Sequence, residues 1–136
     1  MGEIDIWINL TNRYRFNGKI GKAVNFLSEK IQKFPSSPKL WSALATAYNQ
    51  NKEYTQAIKA SRKALELAEG YPEALDNLFF AYDQMKDHEQ TLEIIKQYKT
   101  LHYKQLEEPP EENFLTDFKN YDPKMQVGFI KNIRIK

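Results

Sequence analysis

The feature that most constrains this chain is a pattern of aromatic and aliphatic residues that recurs at a fixed period. Trp7 and Trp41, the only two tryptophans, lie 34 positions apart, and Tyr14, Tyr48 and Tyr82 occur at one phase of the same period. Self-similarity at a fixed period in this range is typical of solenoid arrays, in which each unit buries its apolar face against its neighbours. The chain is therefore expected to fold as a stack of similar units.

Each unit has the hydrophobic spacing of two helices joined by a turn. In the first helix of the central unit, apolar residues recur at i, i+3, i+4 and i+7, which places them on one helical face. Ser37-Pro38 is suited to begin this helix, as an N-cap followed by a proline at the first helical position. Gly70 is suited to follow the second helix, because glycine tolerates the left-handed conformation past a helix end. The unit is thus a helical hairpin.

The pattern resembles the tetratricopeptide repeat (TPR), a 34-residue helix–turn–helix unit with tryptophan, leucine, tyrosine, proline and small-residue landmarks. Its landmarks here are Trp7, Leu10, Tyr14, Gly18, Ala23 and Pro35, then Trp41, Leu44, Ala45, Tyr48, Tyr54, Ala57 and Ala64, then Leu75, Leu78 and Tyr82. Larger residues, including Thr11, Phe79 and Thr91, replace some of the small ones. The resemblance implies an all-α solenoid of three repeats in a right-handed superhelix, at about residues 4–37, 38–71 and 72–106.

Turn and breaker residues predict the boundaries of the helices. The A helices (the first of each repeat) are expected at 4–16, from 38 to the turn at 50–53, and at 72–85. The B helices (the second of each repeat) are expected at 20–33, from that turn to Glu69, and from near His88 through about Leu106. An acidic stretch with two prolines then ends the array, and the sequence predicts a short capping helix within 107–122.

The last segment, residues 123–136, is both basic and apolar. It carries four basic residues and no acidic one, besides six large apolar residues. Two interpretations stay open: it docks on protein, in its own groove, along the third repeat or on a second copy, or it is a flexible end.

Composition limits the class of protein. At 136 residues, with 41% hydrophobic and 28% charged residues, the chain is expected to be one globular domain. A net charge of +2 gives no electrostatic reason to expect nucleic acid or a membrane surface as partner. The absence of cysteine excludes disulfides and thiolate chemistry. No apolar run is long enough to span a bilayer and no leader precedes Trp7, so the cytoplasm is the expected location, although a cleaved leader would leave no trace.

No catalytic, metal or cofactor site is expected. The only two histidines, His88 and His102, are separated by about four helical turns, too far to share a metal ion along a helix. The five glycines are scattered, so there is no phosphate-binding loop. The glutamates of 107–112 are interpreted as a solvated charge run. The sequence therefore offers no residues for an enzyme.

The remaining candidate is the surface of the A helices. In the proteins that this chain resembles, A helices line the concave groove that receives a partner peptide, which is an argument by analogy. Side-chain amides offer a donor and an acceptor to an extended backbone, and two phenylalanines offer apolar contact. The predicted peptide-binding residues are Asn9, Asn12, Phe16, Thr46, Asn49, Gln50, Asp76, Asn77, Phe80 and Gln84. The alternative is that this polar face is only solvated.

The expected function is a non-enzymatic protein–protein interaction module, an adaptor or scaffold that needs no cofactor. Some relatives clamp a carboxylate terminus with Lys, Asn and Arg, but the matching positions hold Ile8, Asn12, Ala43, Glu73 and Asn77. Only Asn12 agrees, so that clamp is not expected. The acidic third A helix predicts a partner that is basic near that end. The alternative is a self-assembling structural protein that oligomerises through its repeat ends or an exchanged C-terminal tail.

Overall fold

The computed structural model describes residues 2–105, with side chains described through residue 97. This part of the chain is entirely helical. Its six helices are α1 (Glu3–Phe16), α2 (Ile20–Lys33), α3 (Pro38–Gln50), α4 (Tyr54–Leu67), α5 (Pro72–Gln84) and α6 (His88–Gln105). They form three successive hairpins, so the predicted all-α repeat fold is confirmed and the predicted boundaries hold to within two residues. The capping helix and the tail predicted for 107–136 lie outside the described residues, and the handedness of the superhelix stays a prediction.

The connector before α3 shows why that helix begins where it does. The Ser37 hydroxyl accepts a hydrogen bond from the Leu40 amide at 3.3 Å, and Pro38 is the first helical residue. The cap satisfies one of the free amides of the first turn, and proline has no amide to leave unpaired. The Trp41 indole Nε1 donates to the Pro35 carbonyl at 2.8 Å, which holds the connector against the helix that follows it.

The turns within the hairpins repeat with the same period as the side chains. Gly18, Lys52 and Lys86 occupy the same position in the three successive repeats, and all three have positive φ, at 75°, 62° and 62°. In each turn the next residue donates its backbone N–H to the carbonyl of the landmark tyrosine, at 2.7 to 2.9 Å. The left-handed residue is thus part of the repeat geometry, although only the first repeat supplies a glycine for it.

The core combines small residues, at which neighbouring helices approach closely, with clusters of large apolar residues. Ala23, Ala45, Ala57 and Ala64 are fully buried, so neighbouring helices approach closely. Thr11 and Thr91 are also buried, and their hydroxyls donate to the carbonyls four residues earlier, at 2.8 and 2.7 Å. A threonine is tolerated there because its one polar group is satisfied within its own helix. The larger core residues form clusters around Leu27, Leu40 and Leu44, and around Leu75, Leu78 and Tyr82.

The first repeat departs from its predicted landmarks at Leu10. Leu44 and Leu78 are 5% and 2% exposed, whereas Leu10, at the same phase, is 36% exposed. Leu78 belongs to a core cluster against which Ile58 and Leu65 of the preceding repeat pack. No described residue occupies that side of α1, so Leu10 stays at the open end of the array.

Candidate functional site

The site predicted from sequence lies on one layer of the array, formed by the A helices α1, α3 and α5. Neighbouring A helices pack against each other, α1 against α3 and α3 against α5. We call the outward surface of these three helices the A-helix face. Asn9, Phe16, Gln50, Asp76, Phe80 and Gln84 are exposed there, Asn12 and Thr46 are half-buried, and Asn49 and Asn77 are buried.

Two of the predicted residues, Asn49 and Asn77, are buried and form hydrogen bonds within the protein, and their role toward a ligand stays a prediction. The Asn77 side chain donates to the Ser42 carbonyl and to the Thr46 hydroxyl, at 3.2 and 3.0 Å. The Asn49 side chain donates to the Asn77 carbonyl at 3.0 Å. Both amide groups are therefore engaged in joining α3 to α5. They stabilise the A-helix face from beneath and are not on its surface.

A small cavity opens on this face between α1, α3 and the start of α5. Its volume is about 180 Å³, and its polar lining includes Asn12, Arg15, Lys39, Thr46, Tyr71 and Glu73. Ile8 and Ala43 contribute apolar wall. Two of the ten predicted residues, Asn12 and Thr46, thus meet at one site. Asn9 does not line the cavity. It has the same position in its repeat as Asn77, which faces the preceding A helix, and no described A helix precedes α1.

Arg15 forms a corner that links α1 to α3. Its Nε donates to Gln50 Oε1 at 2.7 Å, and its Nη1 donates to Asn12 Oδ1 at 3.0 Å. Gln50 Nε2 in turn approaches the Arg15 carbonyl at 3.5 Å. The ring of Phe16, which is 82% exposed, has its centroid 6.0 Å from the guanidinium carbon. Two predicted residues, Asn12 and Gln50, are therefore organised around an arginine that sequence reasoning missed.

The second cation of the cavity, Lys39, belongs to an ion pair. It contacts the carboxylate of Asp5 on α1. The hydrogen bond with Lys39 lowers the pKa of Asp5, and the same bond raises the pKa of Lys39, with a smaller contribution from Glu73. Burial raises the pKa of Tyr71. Lys39 is thus paired with a carboxylate of the preceding A helix.

Aromatic residues lie toward the other end of the A-helix face. Phe80 of α5 is 45% exposed, and its ring centroid lies 6.3 Å from that of Tyr54 in a tilted arrangement. Met85, just after α5, is also exposed, and it shares a surface depression with Tyr54. The predicted apolar contact at Phe80 is therefore part of a patch of three residues: Tyr54, Phe80 and Met85.

A sequence signal for the missed arginine was present. Arg15 stands one period before Asn49, which is among the predicted residues, and Asp83 stands one period after it. Applying the period to each predicted position would have included Arg15. The repeat pattern gives no comparable prediction for Tyr71. This residue lies in the connector before an A helix, and the path of that connector places it at the cavity.

Among the side chains described through residue 97, no three carboxylate or imidazole groups lie close enough together to hold a metal ion. None of the described helices is long and apolar enough to cross a membrane.

Comparisons with known structures support the repeat fold. The first TPR domain of the human RPAP3 protein, solved by NMR, superimposes with a TM-score of 0.69 at 18% identity, covering 93% of this chain and 94% of that one. The TPR-like repeats of a kinesin light chain from Podospora anserina superimpose with a TM-score of 0.66 at 19% identity, covering 92% of this chain and 68% of that one. No family model and no curated protein matches the sequence. At this identity the comparisons establish the fold alone.

Proposed function

We propose that this chain, which has the fold of tetratricopeptide-repeat domains, is a non-enzymatic interaction module. The A-helix face holds an extended segment of a protein partner, and the module needs no cofactor. The expected cytoplasmic location is part of the same proposal.

The packing of the two layers supports the choice of this face. Adjacent A helices contact each other, whereas the B helices α2, α4 and α6 have at most marginal contact with one another in the described chain. An array whose A layer is the more closely packed bends toward that layer, because the small rotation between repeats accumulates. The A-helix face is then the inner side of the bend. A segment lying along it touches all three repeats at once.

The observation that carries the proposal is the chemistry of this face. Hydrogen-bonding groups and a cavity lie between α1 and α3, and the aromatic patch lies at α5. Peptide sites commonly combine hydrogen bonds to an extended backbone with apolar contacts for a few side chains. Phe16 and Phe80 are exposed large apolar residues on the same face, which a solvated surface does not require.

The charge of α5 indicates the sign of the partner near that end. Glu73, Asp76 and Asp83 are its charged residues, and it has no basic one. Glu73 and Asp76 are exposed, whereas Asp83 is buried. Electrostatic complementarity favours a partner with basic side chains over α5.

Site-specific photo-crosslinking tests the proposal. Phe16 and Phe80 are each replaced by p-benzoylphenylalanine, and the protein is irradiated in cell extract. The matched control carries the same group at Gln32, which is exposed on α2. We expect both A-face positions to link to one partner segment, and Asn12→Ala to reduce the yield. A partner that links as well from position 32, with no effect of Asn12→Ala, would contradict the proposal.

One observation favours self-assembly as a second candidate function. Ile6 and Leu10, one turn apart on α1, are 55% and 36% exposed at the open end of the array. A stacked copy would cover them. Light scattering of the full chain and of the variants Ile6→Ser and Leu10→Ser tests self-assembly. A dimer that the variants dissociate would support it. A monomer at all concentrations would exclude it.

A further inference from the structure

The charge of Arg15 is not compensated by any acid in the described structure. Its hydrogen-bond acceptors, Asn12 Oδ1 and Gln50 Oε1, are neutral amide oxygens, and its third contact is the ring of Phe16. None of the ion pairs found among the side chains of residues 2–97 includes it. Burial lowers the pKa of this guanidinium, but arginine stays protonated in proteins. A half-buried cation whose hydrogen-bond partners are all neutral has no opposite charge to offset its desolvation. Such a cation favours the binding of an anion.

The donors that Arg15 retains are adjacent to the cavity. A guanidinium has five N–H donors, and the two amide oxygens take up two of them. The remaining donors belong to its two terminal nitrogens, in the planar fork that matches the two oxygens of a carboxylate. Asn12 and Gln50 fix the orientation of this fork, so a ligand does not have to order a free arginine side chain.

The net charge of the lining favours an anion with a single charge. The described lining holds two cations, Arg15 and Lys39, and one acid, Glu73, so its net charge is +1. Lys39 forms an ion pair with Asp5, which leaves Arg15 as the cation of this lining without one. A dianion such as phosphate would have one negative charge without a partner beside Glu73, whereas a carboxylate balances Arg15 alone. The half-buried position of Arg15 between α1 and α3 also suits a group at the end of a side chain better than one on the main chain.

We propose that the cavity between α1 and α3 binds a carboxylate at Arg15, carried on a side chain of the segment that the A-helix face holds. The part of this inference that concerns a bound segment rests on the proposed function. The binding of a carboxylate at Arg15 does not depend on it. This site differs from the clamp that the sequence does not lead us to expect, whose basic positions are occupied here by Ile8, Glu73 and Asn77. Together with the acidic α5, it gives the bound segment a direction, with its acidic side chain over α1 and its basic side chain over α5.

NMR titration of the full chain with small probes tests the site without a partner. The readout is the Nε–Hε cross-peak of Arg15, assigned by its loss in Arg15→Gln. The probe is N-acetylglutamate amide, and N-acetylglutamine amide is its neutral match, both at constant ionic strength. We expect saturable shifts at Arg15, Asn12 and Thr46 with the acid only. Arg15→Gln removes the charge-assisted pair and should weaken binding of the probe about tenfold or more. In this variant the binding is followed by the shift of the Thr46 amide.

Arg13→Gln is the matched control, because Arg13 is an exposed arginine on the same helix. It should bind the probe as the wild type does. Equal shifts with the neutral amide, or equal weakening in Arg13→Gln and Arg15→Gln, would overturn the site. Tighter binding of inorganic phosphate or of N-acetylalanine would overturn its assignment to a side-chain carboxylate. Because crosslinking at Phe16 and Phe80 uses no acidic probe, the interaction module and the carboxylate site can fail separately.

Discussion

At the scale of single residues, the repeat imposes one backbone conformation on three different positions. Gly18, Lys52 and Lys86 all adopt positive φ. A residue with a side chain meets a steric cost there of roughly 1–2 kcal/mol that glycine avoids. Only the first repeat avoids this cost. The other two form the same turn with lysine, and the backbone hydrogen bond to the landmark tyrosine closes each of them.

Two glycine substitutions should therefore have opposite effects. Gly18→Ala should lower the free energy of unfolding by about 1 kcal/mol, because a Cβ there meets no neighbouring atom and only the positive φ opposes it. Gly21→Ala, in the first turn of α2, should raise it by up to about 0.5 kcal/mol, since alanine has the higher helix propensity. Urea unfolding followed by circular dichroism measures both. Two effects of the same sign would contradict this explanation.

The three landmark leucines should differ in their contribution to stability as they differ in burial. Leu44→Ala and Leu78→Ala should each cost about 2–4 kcal/mol, because a cavity replaces a buried side chain. Leu10→Ala removes the same atoms from a side chain that is 36% exposed, and it should cost about 1 kcal/mol or less. Thermal and urea unfolding of the three variants gives the comparison. A loss at Leu10 as large as at Leu78 would mean that another part of the protein covers it.

The Asp5–Lys39 pair predicts a defined dependence of stability on pH. The folded-state pKa of Asp5 is lowered, so its contribution is present above the unfolded value of about 3.9 and lost as pH falls through the folded value. The pKa of Lys39 is raised, so its contribution is present below about 10.4 and lost as pH rises through the folded value. The stability difference between wild type and Asp5→Asn should thus be constant from about pH 5 to 9 and disappear in strong acid. Glu3→Gln is the control for the loss of a carboxylate from the same helical turn without loss of the ion pair.

At the scale of the helices, α3 and α5 are joined by polar contacts as well as by packing. The Asn77 side chain contacts Ser42 and Thr46 and accepts from Asn49, all within a buried interface. Buried polar groups without partners are costly, so the members of such a network depend on one another. This network keeps two A helices in register beneath the surface that we propose binds a partner.

Asn77→Ala should lower the free energy of unfolding by about 1–2 kcal/mol, because it removes the hydrogen bonds of the buried Asn77 side chain with Ser42, Thr46 and Asn49. Asn9→Ala is its match at the same phase of the first repeat, where the side chain is exposed, and should change stability by about 0.5 kcal/mol or less. Equal losses in urea unfolding would show that the network adds no stability.

At the scale of the whole molecule, stability should decline from the central repeat toward both ends. Among the described helices, α3 packs against α1, α2, α4 and α5, whereas α1 packs mainly against α2 and α3, and α6 mainly against α5. Local opening is easiest where few contacts are lost. Hydrogen exchange measured by mass spectrometry should therefore show the slowest exchange in α3 and faster exchange in α1 and α6. Uniform protection across these six helices would indicate a single cooperative unit.

The sequence by itself determined the features that depend on interactions within one repeat. The helix boundaries, the turns and the buried alanines follow from the spacing, capping and turn chemistry of neighbouring residues, which the 34-residue period presents three times. The caps confirm this at Ser37 and Pro38, where the predicted start of α3 is the observed one. Local rules are sufficient there because the interacting groups lie within a few residues of each other.

Tertiary structure alone decided what happens between repeats. Leu10 is exposed and Leu78 buried at the same phase, because burial depends on whether a neighbouring helix is present. Asn77 is buried while Asn9 is exposed for the same reason. The Arg15 corner reaches from one repeat to the next through Gln50. A periodic sequence assigns equal roles to equivalent positions, and only the packing of one repeat on the next makes those positions differ.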